Sequence, residues 1–383
     1  MQTIPGGHPK GVDVMRNILT KYTTRAGLCA MALVLAAALV LAGCKQEAEP
    51  SRQETQLERD IKALAGKGAG PHEVKADKTL TNADMEHIKE ALQSLPDTVK
   101  VNLNLSSATE ITSIGLLAFS NCTALASVSI PESVTSIEGY AFSDCTSLTS
   151  FTIPESVTSI KGGVFSGCTS LKSVTISNNI KSILAHTFKD CTALTSVSIP
   201  ASVTSIGNQA FSGCTALASV SIPESVTSIE DCAFSRCTAL ASVSIPESVT
   251  IISEGTFQYC SNLTEVSLPN TMNTIKSRAF EDCTKLTTVS THGTKTTPGG
   301  KGINIHAFYG CSALKSVTIP KSVTSIEGAF SDCSALNRVT FNDTTGWKIY
   351  NDDTQPITVT TPTENATNLK KGGKWSLIKL TRS

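Results

Sequence analysis

Residues 210–229 read Ala210-Phe211-Ser212-Gly213-Cys214-Thr215-Ala216-Leu217-Ala218-Ser219-Val220-Ser221-Ile222-Pro223-Glu224-Ser225-Val226-Thr227-Ser228-Ile229. Val220 and Ile222 alternate with Ser219 and Ser221, the period-two pattern of a strand with one buried face. Pro223 lacks an N–H and ends strand pairing. Val226 and Ile229 point inward again on a second, irregular side, and the next pair, Ala233 and Phe234, forms a third. The stretch recurs along the chain. Cysteines fall at 122, 145, 168, 191, 214, 237, 260 and 283, each 23 residues after the last, then at 311 and 333. A Phe stands three residues before each of these and a Leu three residues after. Ten copies exclude chance periodicity. One such unit cannot bury three apolar sides alone, so neighbouring copies must stack and each repeated position becomes a ladder.

The pattern Phe-x-x-Cys-x-x-Leu-x-x-Val-x-Ile-Pro-x-x-Val-x-x-Ile-x-x-x-Ala-Phe resembles the BspA-type (treponemal-type) leucine-rich repeat over about residues 106–341. The resemblance implies a repeat solenoid, a right-handed leucine-rich-repeat horseshoe of about ten units of ~23 residues with a parallel β-sheet on its concave face. It also implies a surface protein of bacteria that colonise animals, several of which adhere to host matrix or to other microbes. The 383 residues would otherwise suggest two or three globular domains of ~150 residues.

Outside the array the sequence divides further. Ala26–Ala42 is almost entirely apolar, is preceded by Arg16, Lys21 and Arg25, and ends in Leu41-Ala42-Gly43-Cys44. That order matches a secretory signal peptide, and the last four residues resemble a bacterial lipobox, which implies removal of residues 1–43 and acylation of Cys44. Met15 offers an alternative start. Residues 44–75 are polar and read as a flexible tether. Residues 76–105 read as an N-terminal cap, with a helix over Thr81–Leu95 and a strand over Val99–Leu105. The solenoid spans 106–345, and residues 346–383 form a β-rich C-terminal cap. Departures mark seams: Ser177-Asn178-Asn179 replaces Pro-Glu-Ser, and Thr291–Gly302 carries a five-residue insertion expected to form a bulged loop.

The outward strand positions give the candidate binding face. They are Ser127, Ser129, Ser150, Thr152, Ser173, Thr175, Ser196, Ser198, Ser219, Ser221, Ser242 and Ser244, then Glu265, Ser267, Thr288, Ser290, Ser316, Thr318, Arg338 and Thr340. A carpet of hydroxyls nearly without aromatics suits weak, extended, multivalent contacts. Glu132, Glu155, Glu224 and Glu247 make an interrupted acidic row beside it. The formal net charge of zero argues against a nucleic-acid partner. The ladder cysteines read as buried, reduced thiols, and Cys232 as an exposed one. No Cys-x-x-Cys occurs, and His72, His87, His186, His292 and His306 are scattered, so no metal or cofactor is expected. No nucleophile elbow or phosphate loop is present, and the chain reads as a non-enzyme. The expected partners are host extracellular-matrix proteins or other bacteria, with Cys44 holding the chain to a membrane. The alternative is a periplasmic scaffold without host contact.

Overall fold

The computed structural model describes residues 53–293, 302–342, 347–350, 356–358 and 379–382. The leader, Cys44, the first part of the tether, the inserted segment 294–301 and most of the C-terminal region lie outside the described residues. The repeats form a parallel-strand solenoid. In successive coils the alternating segment is a strand: Ser150–Thr152, Ser173–Thr175, Ser196–Ser198, Ser219–Ser221 and Ser242–Ser244. Ser196 lies opposite Ser219 and Ser198 opposite Ser221 in parallel register, so one repeat of sequence equals one coil of structure. Phe151, Val174, Val197 and Val243 at the strand centres are buried.

The second side is more ordered than expected. After the turn of most coils a two-residue strand forms, and Ser205–Ile206 pairs in parallel with Ser182–Ile183 before it and Ser228–Ile229 after it. The serine of most Pro-x-Ser-Val turns bridges coils, whereas the buried Ser156 hydroxyl has no partner among the described residues. Ser202 Oγ donates to the Ile180 carbonyl and Ser225 Oγ to the Val203 carbonyl, each at 2.7 Å.

The third side carries its own ladder. The N–H groups of Gln209, Phe211 and Gly213 donate to the carbonyls of Asp231, Ala233 and Ser235 in the next coil, at 3.0, 2.8 and 2.9 Å. Three alternate N–H groups aim along the array because the residues five before and one before each cysteine adopt positive φ. In this coil Gln209 has φ 52° and Gly213 has φ 77°. Both positions are left-handed in all ten coils, from Leu117 and Asn121 to Gly328 and Asp332. This arrangement leaves few buried polar backbone groups unpaired on that side.

Stacking fills the interior. The ten ladder phenylalanines form a column with ring centroids 5.0–5.8 Å apart and planes within 14° of parallel. The ten ladder cysteines are buried and free. Each thiol from Cys145 to Cys333 donates to the carbonyl of the phenylalanine one coil back, as Cys214 Sγ does to Phe188 at 3.1 Å. The Phe188 carbonyl also accepts from the Cys191 N–H at 3.2 Å. Cysteine here is a small apolar filler with one well-placed donor.

The two ends differ. Helix α1 (Gln56–Lys62) and strand β1 (Gly70–Lys75) occupy sequence expected to be tether, which is a correction for residues 55–75. Leu57 and Ile61, one helical turn apart, are buried, and two such side chains suffice to dock a short helix onto a cap. Strand β1 pairs in parallel with β2 (Val99–Asn104), and β2 pairs with the first repeat strand, Leu125–Ser129, so the cap continues the solenoid sheet. The expected cap helix is shorter than Thr81–Leu95: a turn over Asn82–Asp84 precedes α2 (Met85–Gln93). The Asp84 carboxylate accepts from the Thr81 N–H and hydroxyl, both at 2.8 Å, which fixes the helix start. At the other end, Lys379–Arg382 pairs antiparallel with Ser325–Glu327 and with Trp347–Tyr350, and the latter with Pro356–Thr358. The change of strand direction ends the parallel ladder on the second side.

One coil is bypassed. Ser322 occupies the bridging-serine position, yet its hydroxyl donates to the carbonyls of Asn270 and Met272, two coils back rather than one. Asn342 likewise reaches Asn270 Oδ1 at 3.0 Å and Thr291 Oγ1 at 2.9 Å. The coil between contains the insertion and has no Pro-x-Ser-Val turn to present.

Candidate interaction surface

The sheet presents its hydroxyls as the alternation requires. Ser150, Thr152, Ser173, Thr175, Ser196, Ser198, Ser219, Ser221, Ser242 and Ser244 are all exposed. None of these ten side chains has a hydrogen-bond partner among the described residues, so five consecutive strands offer an open lattice of donors and acceptors. The ends of the face are partly engaged. Ser127 Oγ donates to Asn102 Oδ1 at 2.8 Å. Ser267 Oγ lies 2.8 Å from His292 Nδ1, and Ser290 Oγ donates to the Val266 carbonyl at 3.5 Å. Ser129, Glu265 and Arg338 are exposed, while Thr288, Ser316, Thr318 and Thr340 are half-buried.

The acidic row beside the sheet is divided in role. Glu132 and Glu224 are exposed. The Glu155 carboxylate instead accepts from Ser177 Oγ at 3.2 Å and from the Asn178 N–H at 3.4 Å, holding the turn that lacks the proline.

Cys232 is not the exposed thiol expected from its variable neighbours in other coils. It occupies the first left-handed position, with φ 56°, and is half-buried. The next coil has Gly255 there, and a Cβ added to Gly255 would stand 3.0 Å from Cys232 Sγ, so the sulfur lies over the missing side chain. Burial first, then the nearby Asp231 and Glu254 carboxylates, raise its pKa and keep it a thiol.

Sequence reasoning missed the third-side corner as a surface of distinct chemistry. Nine Tyr, Arg and His residues lie between 106 and 342, and seven of them sit there: Tyr140, His186, Arg236, Tyr259, Arg278, His306 and Tyr309. Six occupy left-handed positions. Arg236 packs over the Tyr259 ring at 5.6 Å. Arg278 Nε lies 3.6 Å from Glu281 Oε2, which also accepts from Gln258 at 2.7 Å. These residue types dominate binding hot spots, so the chemical individuality of the array is on this corner rather than on the sheet. A signal was present for the second left-handed position: eight of its ten residues are Asn, Asp or Gly, the types that tolerate that conformation. The first position, with only three glycines, carries no such signal.

Among the described residues no group of three His, Cys, Asp or Glu could hold a metal. A cavity of about 180 Å³ between the cap and the first coil, lined by Asn82, Ala83, Met85, Glu86, Ser113, Gly115, Leu116 and Ala118, is smaller than ordinary ligand pockets of ~300 Å³ and above.

A surface of this build, repeated and extended, is that of a protein-interaction scaffold. The BspA type leucine rich repeat region matches residues 100–200, 181–301 and 301–351. The chain belongs to the BspA-type leucine-rich repeat family. Among solved structures it is similar to a leucine-rich repeat protein from Bacteroides ovatus, with 24% identity, TM-score 0.52, and coverage of 70% of this chain and 72% of that one. It is also similar to the leucine-rich repeat protein of T. pallidum, with 32% identity, TM-score 0.36, and coverage of 41% and 72%. A third is a leucine rich cell surface protein from Faecalibacterium prausnitzii, with 29% identity, TM-score 0.39, and coverage of 71% and 83%. No curated protein matches the chain.

Proposed function

We propose that this chain is a bacterial cell-envelope lipoprotein, held by Cys44 and displayed at the outer surface, that adheres to host matrix proteins or to other bacteria through the hydroxyl-lined sheet. The observation that carries the reading is the open lattice on the strands from Ser150 to Ser244, ten exposed hydroxyls with no partner among the described residues. Each hydroxyl contributes little alone, but a stacked array engages a repetitive or multi-site partner through many weak contacts at once. No catalytic step is assigned, and a nucleic-acid partner is not expected of a chain without net charge.

The test is adhesion of cells displaying the chain, with and without residues 106–345, to immobilised matrix proteins and to co-resident bacteria. Loss of adhesion on deletion is expected. Unchanged adhesion, or protection of the chain from protease added to whole cells, sinks the surface reading and leaves the periplasmic scaffold.

A further inference from the structure

The corner formed by the left-handed positions changes character along the array. Its first left-handed position and the residue before it read Leu116-Leu117, Gly139-Tyr140, Gly162-Gly163, Ala185-His186 and Asn208-Gln209 in the first five coils. Formal charge enters with Asp231, Glu254 and Arg278. At these two positions the five coils next to the cap carry no formal charge and the far half does, although Asp144 and Asp190 hold the second left-handed position in the near half and Ile305 is exposed in the far one. At the cap end Leu116 is 67% exposed, Leu117 40% and Tyr140 39%. They adjoin one another: a Cβ added to Gly139 would stand 3.5 Å from Leu116 Cδ1, and the Tyr140 ring covers Gly163.

Two of these side chains sit on unfavourable backbone. Leu117 has φ 58° and Tyr140 φ 54°, where a bulky residue is disfavoured and glycine is free. The same position accepts Gly163, Gly255 and Gly328. Leu116 and Leu117, exposed on a corner where glycine also fits, with the Tyr140 ring spread over Gly163 beside them, present an apolar patch to the outside.

We propose that Leu116, Leu117 and Tyr140 rest on the phospholipid surface to which the chain is tethered; this builds on the reading of Cys44 as the lipid anchor. Eleven residues, Cys44 to Glu54, separate that anchor from the first cap helix, a reach of at most about 40 Å. The covalent connection therefore holds the cap end, where the apolar corner lies, near the bilayer. Leucine and tyrosine are the residue types that settle at the boundary of lipid and water. The charged half of the corner is left pointing away from the membrane, free to meet partners.

The test uses residues 44–383 carrying Cys44→Ser, so that no acyl chain contributes, and vesicles of phosphatidylethanolamine and phosphatidylglycerol. The fold described above starts at Thr55 and lies wholly within that chain. Measurable co-sedimentation is expected, reduced at least tenfold by Leu116→Asp. The variant Leu117→Gly is the sharper probe, because it relieves the backbone without uncovering Gly163: its melting temperature should hold or rise while vesicle binding falls. Vesicle binding equal to that of the parent in both variants, or a parent that stays in the supernatant, overturns the proposal. Mass spectrometry of Cys44 in the native membrane reports on the anchor separately, so the two readings fail independently.

Discussion

Asp190 and Gly213 occupy the same position in consecutive coils, and neither is independent of the other. A Cβ on Gly213 would stand 2.2 Å from Asp190 Oδ1, and the same pairing recurs at Asp144 with Gly167 and Asp282 with Gly310. The carboxylate of one coil fills the space that a side chain in the next would need. Gly213→Ala is therefore expected to cost about 2 kcal/mol, from overpacking and the left-handed backbone together. In an Asp190→Ala background the cost should fall to roughly 1 kcal/mol, the backbone part alone. Urea denaturation of the four chains in this cycle measures the coupling, and additive costs refute the steric account. Glycine freedom and glycine space act together here, which is why these three positions alternate with aspartate.

At the scale of the element, the bridging serine shows what a short turn contributes. At Ser133, Ser202, Ser225 and Ser248 its hydroxyl ties one turn to a carbonyl of the turn before, as Ser225 does to Val203. Ser322 makes the tie to the turn two coils back and is buried at 5% exposure. Ser322→Ala should destabilise by about 1–2 kcal/mol, and more than Ser225→Ala, because Ser322 serves two carbonyls and is the more buried of the two. Equal midpoints in denaturant for the two variants would count against that role. Much of this level was legible beforehand. The period-two strand, the proline stop and the ladder of Phe, Cys and Leu are local or periodic signals, and they placed the outward hydroxyls on the correct side. The short second strand was not legible, since two residues such as Ser205 and Ile206 carry no pattern of their own. Nor was the fold of residues 55–75, where only Leu57 and Ile61 mark the docked face of α1. The left-handed corner escaped because its first position is defined by backbone conformation rather than by residue type, and its surface residues with it.

The whole molecule is tied together by its thiols. Ten buried cysteines each favour the neutral form, because burial in the core penalises the thiolate. Cys333 is raised first by its contact with Cys311 and then by burial. Cys122 and Cys260 are pushed up to about 12 from an ordinary value of 9.0. In the unfolded chain these thiols ionise near 9, while the folded chain holds its protons, so the folded state binds more protons between the two values. Stability is then full below pH 9 and falls as pH rises toward 12. With ten groups acting in the same direction the fall should be steep. Melting temperatures under reducing conditions at pH 7, 8 and 10.5 are expected to be similar at the first two and sharply lower at the third. A flat profile contradicts the buried neutral column.

The aspartate–glycine pairs have a further consequence for how such an array is inherited. Near-identical units invite copying errors that add or remove a whole coil, and most joints in this solenoid would accept the splice. The joint after Asp190 would not accept every newcomer. Excising the single coil that carries Gly213 sets Arg236 in the space the carboxylate fills, whereas excising Asp190 and Gly213 together rejoins Gly167 to Arg236. Lineages of this gene should therefore lose the Gly213 coil only together with the Asp190 coil, whereas the Asp190 coil can go alone, since its loss sets Gly167 beside Gly213.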